Sequence, residues 1–267
     1  MNTFGRTLMV ASVATVLGFT VAYAYSSGAI DLKHVGQSRN AVDVNGTLVS
    51  LPTPGVDPQR LAPAVVTTDV GDFTFESVGA AGPVLRDPCQ AIHWKLSTAG
   101  MPAGAEPLAQ EAVASVATHT GLVFVFDGFA SDVPTFDGPV LVHGDKWEYA
   151  PLVIGWSTEA QSSDLGGDTT GVGGARITPG AYDEREFLRS GTVIIDTSDI
   201  RDIVTTPAEQ ARTRAVIMHE LGHVVGLNHA SDPRELMYPS ASYVIDWGPG
   251  DLQGLAEAGA GPCEGAK

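Results

Sequence analysis

The stretch His219-Glu220-Leu221-Gly222-His223-Val224-Val225-Gly226-Leu227-Asn228-His229 decides how the rest of the chain is read. It closes a segment, opened by Pro207, that is predicted to be a long helix through Ala208 to about Val225, with proline in a favoured first-turn position. Histidines four apart on a helix share one face, so their imidazoles can converge on one ion. A third ligand six residues beyond His223 cannot come from the same straight helix. Gly226 supplies the break, since a residue without Cβ can take positive φ and turn the chain. His229 can then swing back under the metal. Three neutral nitrogens leave a fourth position open for water, the pattern of catalytic rather than structural zinc. Glu220 adjoins the first histidine, where a carboxylate can take a proton from that water and deliver it to a leaving amine.

Five fixed positions at background frequencies give roughly one chance match in 10⁵ chains of this size, so three unrelated histidines are set aside. The stretch matches HExxHxxGxxH, and Ser231-Asp232-Pro233-Arg234-Glu235-Leu236-Met237-Tyr238-Pro239 resembles the Met-turn of the matrixin branch of the metzincin zinc metallopeptidases. The resemblance is tight from Val216 to Pro239. It implies an α+β, zincin-like (metzincin) catalytic domain with a twisted mixed β-sheet, an active-site helix and a C-terminal helix. By the same resemblance Met237 lies beneath the zinc and supports it without ligating it. In astacin- and serralysin-like members a tyrosine two places after the methionine approaches the metal; here that place is Pro239, so Tyr238 is not assigned to zinc.

Gly173 to Gly180 resembles the edge strand that runs antiparallel to bound substrate, which makes Gly174, Ala175, Arg176 and Ile177 candidate contacts for an extended peptide. An ordinary surface strand is the alternative. The segment from Pro239 to Gly250, with Tyr243, Ile245 and Trp247, is expected to shape a pocket beyond the scissile bond, and Pro239 and Tyr243 are its candidate contacts. Asp251 reads as a helix N-cap, in a region that braces the Met-turn in related enzymes.

Departures from the family pattern are equally specific. There is no PRCGxPD-type cysteine switch; Cys89 lies in Asp87-Pro88-Cys89-Gln90. A second, structural zinc is not recognisable, so His34, His93, His119 and His143 read as ordinary histidines. Asp164, Asp168, Asp183 and Glu184 flank a Gly-rich stretch and could hold calcium through oxygens, but without EF-hand spacing solvated loop carboxylates are the plainer reading.

Outward from the motif, the chain divides into three. Arg6 precedes an apolar stretch from Leu8 to Tyr25 that ends in Ala22-Tyr23-Ala24, so residues 1–24 read as a secretory signal peptide or an uncleaved membrane anchor. Either one exports the remainder of the chain. Residues 25–85, punctuated by Thr53-Pro54-Gly55 and Asp57-Pro58, read as a linker, spacer or pro-segment. Residues 86–267 form the expected catalytic domain. Its strands are expected at 91–96, 122–126, 151–156, 175–178 and 192–196, with a helix from Glu106 to His119 stopped by Gly121 and a last helix from Asp251 to Ala258. In an exported chain Cys89 and Cys263 are expected to form a disulfide, two free thiols being the alternative.

Composition agrees. Hydrophobic residues make up 43% of the 267, enough for a core, and 31 acidic against 15 basic residues give a net charge of −16. A surface that acidic repels phosphate backbones, so no nucleic-acid partner is expected. The expected function is an exported zinc-dependent endopeptidase acting on protein or peptide substrates, with one catalytic Zn²⁺. Its rivals are a non-catalytic, metal-dependent cell-surface binding module and a zinc amidase acting on cell-wall peptides.

Overall fold

A computed structural model describes residues 41–44, 46–52, 58–182, 184–198, 206–240 and 244–265. The expected leader at 1–24, His34, Asp183 and Tyr243 lie outside these residues. Two hairpins come first: β1 (Ala41–Val44) pairs with β2 (Thr47–Ser50), and after β3 (Thr74–Phe75) β4 (Val78–Gly79) pairs with β5 (Gly82–Pro83). The main elements are then β6 (Ile92–Ser97), α1 (Ala105–Thr120), β7 (Phe124–Ala130), β8 (Leu141–His143), β9 (Trp147–Tyr149), β10 (Leu152–Ser157), β11 (Gly171–Pro179) and β12 (Glu186–Asp196). The chain closes with α2 (Pro207–Val225), the short β13 (Leu227–Asn228) and α3 (Pro249–Gly259).

Five strands make the central sheet in the order β11-β12-β10-β6-β7. Strands β12, β10, β6 and β7 are parallel, with β7 at one edge, and β11 closes the other edge antiparallel to β12. Parallel strands are covered on both faces, which is why Leu152-Val153-Ile154-Gly155-Trp156 and Val193-Ile194-Ile195 read as unbroken apolar runs. Trp156, Leu152, Ile154, Ile194 and Ile195 are fully buried, and each such side chain contributes about 1.5–3 kcal/mol by leaving water. Helices α1 and α2 fill one face through Leu108, Ala112, Val116, Ile217, Met218 and Leu221. The segment 132–140 crosses the other: Ser97 donates to Asp132 O at 2.6 Å, Thr192 to Thr135 O at 3.2 Å and Ser190 to Val140 O at 3.0 Å.

The zinc-motif helix starts where Pro207 suggests. Thr206 is its N-cap, accepting from the Glu209 N–H, while the Glu209 carboxylate returns to the Thr206 N–H at 3.0 Å, a reciprocal cap. The last helix corrects the reading of Asp251. It begins at Pro249 after an extended Gly248, so Asp251 is its third residue, and the carboxylate reaches back to the Gly248 N–H at 2.9 Å. Strand limits move too: β7 runs to Ala130 instead of ending at 126, and β11 and β12 extend well beyond 175–178 and 192–196.

The expected boundary at residue 86 falls inside continuous packing. Phe73 and Phe75 pack against the main core, β3 pairs with β13, and Leu85 bridges to Phe187. Arg86 is itself buried, donating to Val224 O at 3.1 Å and to Ser190 O; burial and the neighbouring Arg189 push its guanidinium down to about 9. Cys89 and Cys263 are disulfide-bonded with Cα atoms 5.4 Å apart, joining positions 174 residues apart in sequence. Beside the bridge Arg189 pairs with Glu264 and, at 3.7 Å, with Asp87, so three buried charges join the Asp87–Cys89 segment to the Cys263–Glu264 segment. No helix among the described residues is long and apolar enough to cross a membrane.

Candidate metal centre and active site

α2 delivers two histidines and the glutamate, then stops at Gly226. That glycine has φ +110°, a conformation L side chains rarely adopt, and its N–H closes the helix on Gly222 O and His223 O. The chain turns there, and His229 returns to the helix face. The ring centroids of His219, His223 and His229 are 5.0, 5.3 and 4.8 Å apart in pairs. One nitrogen from each ring lies within 4.8 Å of the others, close enough to share one ion.

Hydrogen bonds decide which nitrogens are free. His219 Nδ1 meets Leu236 O at 2.7 Å and His223 Nδ1 meets Leu227 O at 2.8 Å. A carbonyl can only accept, so both Nδ1 atoms carry the proton and both Nε2 lone pairs face outward for a metal. Electrostatics favour the same state. Burial lowers the His219 pKa, and burial with the neighbouring His219 pushes His223 down to about 3. Burial also lowers His229, against the opposing charge of Glu76. Neutral imidazole is the form that binds metal, so the donor set fits a zinc ion with an open fourth position.

Glu220 is 6% exposed, and burial pushes its carboxyl up to about 8. It lies under the start of β11, where a Cβ on Gly171 would meet its side chain at 3.1 Å. A Cβ on Gly173 would sit 2.2 Å from the Glu220 carbonyl oxygen, so the edge strand and the helix touch backbone to backbone. This contact sets β11 beside the Glu220 carboxylate.

Met237 lies in the turn that follows His229. It is 1% exposed and lies against α2 at Gly222, where a Cβ would meet its sulfur at 2.4 Å. Its N–H donates to Asp251 Oδ1 at 3.2 Å, and the Leu236 N–H donates to the other oxygen. Asp251 thus braces the turn that also supplies the carbonyl for His219. Glu235, 2% exposed, in turn accepts from the Asp251 N–H at 3.0 Å, a contact the sequence does not suggest.

The other expected residues are scattered. Gly174, Ala175, Arg176 and Ile177 lie along β11, with Ile177 45% exposed and the Arg176 guanidinium on Phe136 O. Pro239 is exposed just past the Met-turn. His143 stacks edge-on against Trp147 at 4.8 Å, His93 pairs with Asp127 at 2.9 Å, and His119 bonds Ser115 O at 2.8 Å. Asp164, Asp168 and Glu184 join no metal-sized cluster among the described residues. The one grouping there besides the three histidines is Asp87 with the bridged Cys89 and Cys263. Sequence reading misses Asp72, Thr74 and Glu76, which touch the His229 loop from the segment expected to be a linker.

A sequence profile of the peptidase family described as Matrixin matches residues 133–250, from just before β8 into α3. No curated protein sequence matches the chain. Among solved structures, the archaemetzincin of Methanopyrus kandleri is similar at 18% identity and a TM-score of 0.42, over 63% of this chain and 94% of that one. Over residues 133–250, which hold the three histidines, Glu220 and Met237, the chain is similar to that peptidase family, and its fold is α+β with a mixed sheet.

Proposed function

We propose that this chain is an exported endopeptidase that hydrolyses peptide bonds in protein or peptide substrates at the His219–His223–His229 centre. The observation that carries the reading is the convergence of three neutral histidines beside a buried glutamate and an edge strand. His219, His223 and His229 would hold the metal. When bound, zinc would supply a Lewis acid that lowers the pKa of a water and polarises the scissile carbonyl. Glu220 takes a proton from the attacking water as its oxygen bonds to the carbonyl carbon. It hands that proton to the nitrogen as the C–N bond breaks. Within the described residues β11 pairs only with β12, which leaves its other edge for an extended peptide to join by main-chain hydrogen bonds, with Gly174 to Ile177 along the contact. Export is supported by the apolar leader ahead of Ala22-Tyr23-Ala24 and by the Cys89–Cys263 bridge, which persists in oxidising compartments.

The test is cleavage of a diverse peptide library by the zinc-loaded chain beside its Glu220→Ala variant, with products read by mass spectrometry. Zinc-dependent cuts that vanish in the variant are expected. Substantial cleavage by Glu220→Ala would remove the assigned base. No cuts from a folded, zinc-loaded chain would overturn the endopeptidase in favour of the binding module or an amidase.

A further inference from the structure

The three histidines are not held alike. His219 and His223 are fixed twice, by the helix and by a ring hydrogen bond to a carbonyl. His229 sits on a loop, is the most exposed of the three, and has no ring hydrogen bond among the described residues. Its place is set through its backbone.

That backbone is gripped on both sides by residues 72–76. Ahead of His229, the Glu76 N–H donates to Gly226 O at 2.8 Å, and Leu227 and Asn228 pair with Phe75 and Thr74. At His229, the Thr74 hydroxyl donates to its carbonyl oxygen at 3.2 Å. Past it, one oxygen of Asp72 accepts three hydrogen bonds: from the Ser231 N–H, from the Ser231 hydroxyl at 2.8 Å and from the Asp232 N–H at 3.2 Å. Bonds from the Ser231 hydroxyl and N–H hold the Asp72 carboxyl below its ordinary value, as expected of a carboxylate working as an acceptor. The segment is itself anchored, through the Gly71 N–H on Gln253 of α3 at 3.2 Å and through Phe73 and Phe75 against the core.

We infer that Asp72 is a positioning residue for the metal centre: its carboxylate holds the loop after His229 so that the third imidazole meets the other two. Residues 71–76 thereby belong to the metal site, although they lie some 150 positions before it in sequence. The inference rests on the zinc reading above. A second partner that orients a ligand typically changes metal affinity 10–100-fold when removed, and a loop-borne ligand without a ring hydrogen bond depends most on such a partner.

The experiment uses the full chain and two variants, Asp72→Ala and Asp72→Asn. Zinc affinity is measured by competition with a chelator, well below the melting temperature of each metal-free protein. Cobalt(II) spectra of the same three proteins report the ligand geometry. All three bonds end on one oxygen, so an asparagine carbonyl can replace it and an alanine cannot. The expected result is a roughly 10–100-fold loss of zinc affinity and an altered cobalt spectrum in Asp72→Ala. Asp72→Asn is expected to restore both. Wild-type affinity and spectrum in Asp72→Ala would overturn the inference while leaving the zinc reading intact, and so would failure of asparagine to rescue. A wild-type chain that binds no zinc would overturn both.

Discussion

The helix-borne and loop-borne parts of the proposed metal centre are built on different principles. His219, Glu220 and His223 occupy one face of α2, and the Thr206–Pro207–Glu209 cap fixes where that helix starts. The ring hydrogen bonds that orient its two histidines come from Leu227, just past the helix, and from Leu236 in the Met-turn. The other half, Gly226 to Ser231, has almost no regular structure of its own. It is held by β3 and Asp72 from about 155 residues away, by Thr74 on His229 O, and by the Ala230 N–H on Met237 O at 2.9 Å. One half is specified by local spacing and the other by tertiary contact, and each should fail in its own way.

The largest expected effect lies in the helix half. Glu220→Gln keeps the side-chain volume but removes the proposed base, so turnover should fall by about 10²–10⁴-fold with zinc affinity little changed. Steady-state kinetics beside a zinc titration checks this. A parallel loss of zinc would mean that the glutamate shapes the centre rather than acting as its base. The next effect breaks the loop half alone. A chain beginning at residue 77 loses Asp72, Thr74, Phe75 and the Glu76 bond to Gly226. It should keep the helix content of α2 by circular dichroism while binding zinc about a hundredfold more weakly. Equal zinc affinity in the two chains would erase the distinction between the halves.

The same distinction explains what can be read from sequence. His219, Glu220, His223, the break at Gly226 and the helix start at Pro207 are separated by distances that helix geometry converts directly into position. The parallel strands are legible because two-sided burial demands unbroken apolar runs such as Leu152 to Trp156. Residues 71–76 are not. They carry no periodicity, and their roles arise from backbone groups of a segment distant in sequence. Asp251 reads as a cap because aspartate favours that position. Its burial among three N–H donors, from Leu236, Met237 and Gly248, comes only from the return of the Met-turn onto α3. The edge strand β11 is located through its likeness to a family pattern. Its approach to α2 through Gly173 is a tertiary fact with no local signal.

A smaller effect is expected where the helix meets the Met-turn. Gly222→Ala places a methyl group 2.4 Å from the Met237 sulfur, so the thioether or the turn must shift. Overpacking of this kind costs typically about 1–3 kcal/mol. Because Leu236 O orients His219, the shift should also weaken zinc binding. Chemical denaturation of the metal-free protein and a zinc titration read the two consequences separately. If stability falls but zinc affinity does not, the Met-turn supports the fold without orienting the ligand.

The last expected effect is a pH slope. Burial raises the Asp251 carboxyl to about 6, even though the N–H groups of Gly248, Leu236 and Met237 pull it down. Its ordinary value is 3.8, so between pH 4 and 6 the folded chain holds a proton that the unfolded chain has released. Stability from this group is therefore present in full below about 3.8 and is lost as pH rises past about 6, with a slope of at most about 1.4 kcal/mol per pH unit. Asp251→Asn cannot titrate. Denaturation of both metal-free proteins across pH 4–7 should show wild type losing stability relative to the variant as pH rises, a difference in slope that does not depend on their absolute stabilities. Parallel curves would mean that the three donors outweigh burial and keep the carboxylate charged throughout. Asp251 would then hold the Met-turn by charge as well as by geometry, and the brace would be stronger than burial alone implies.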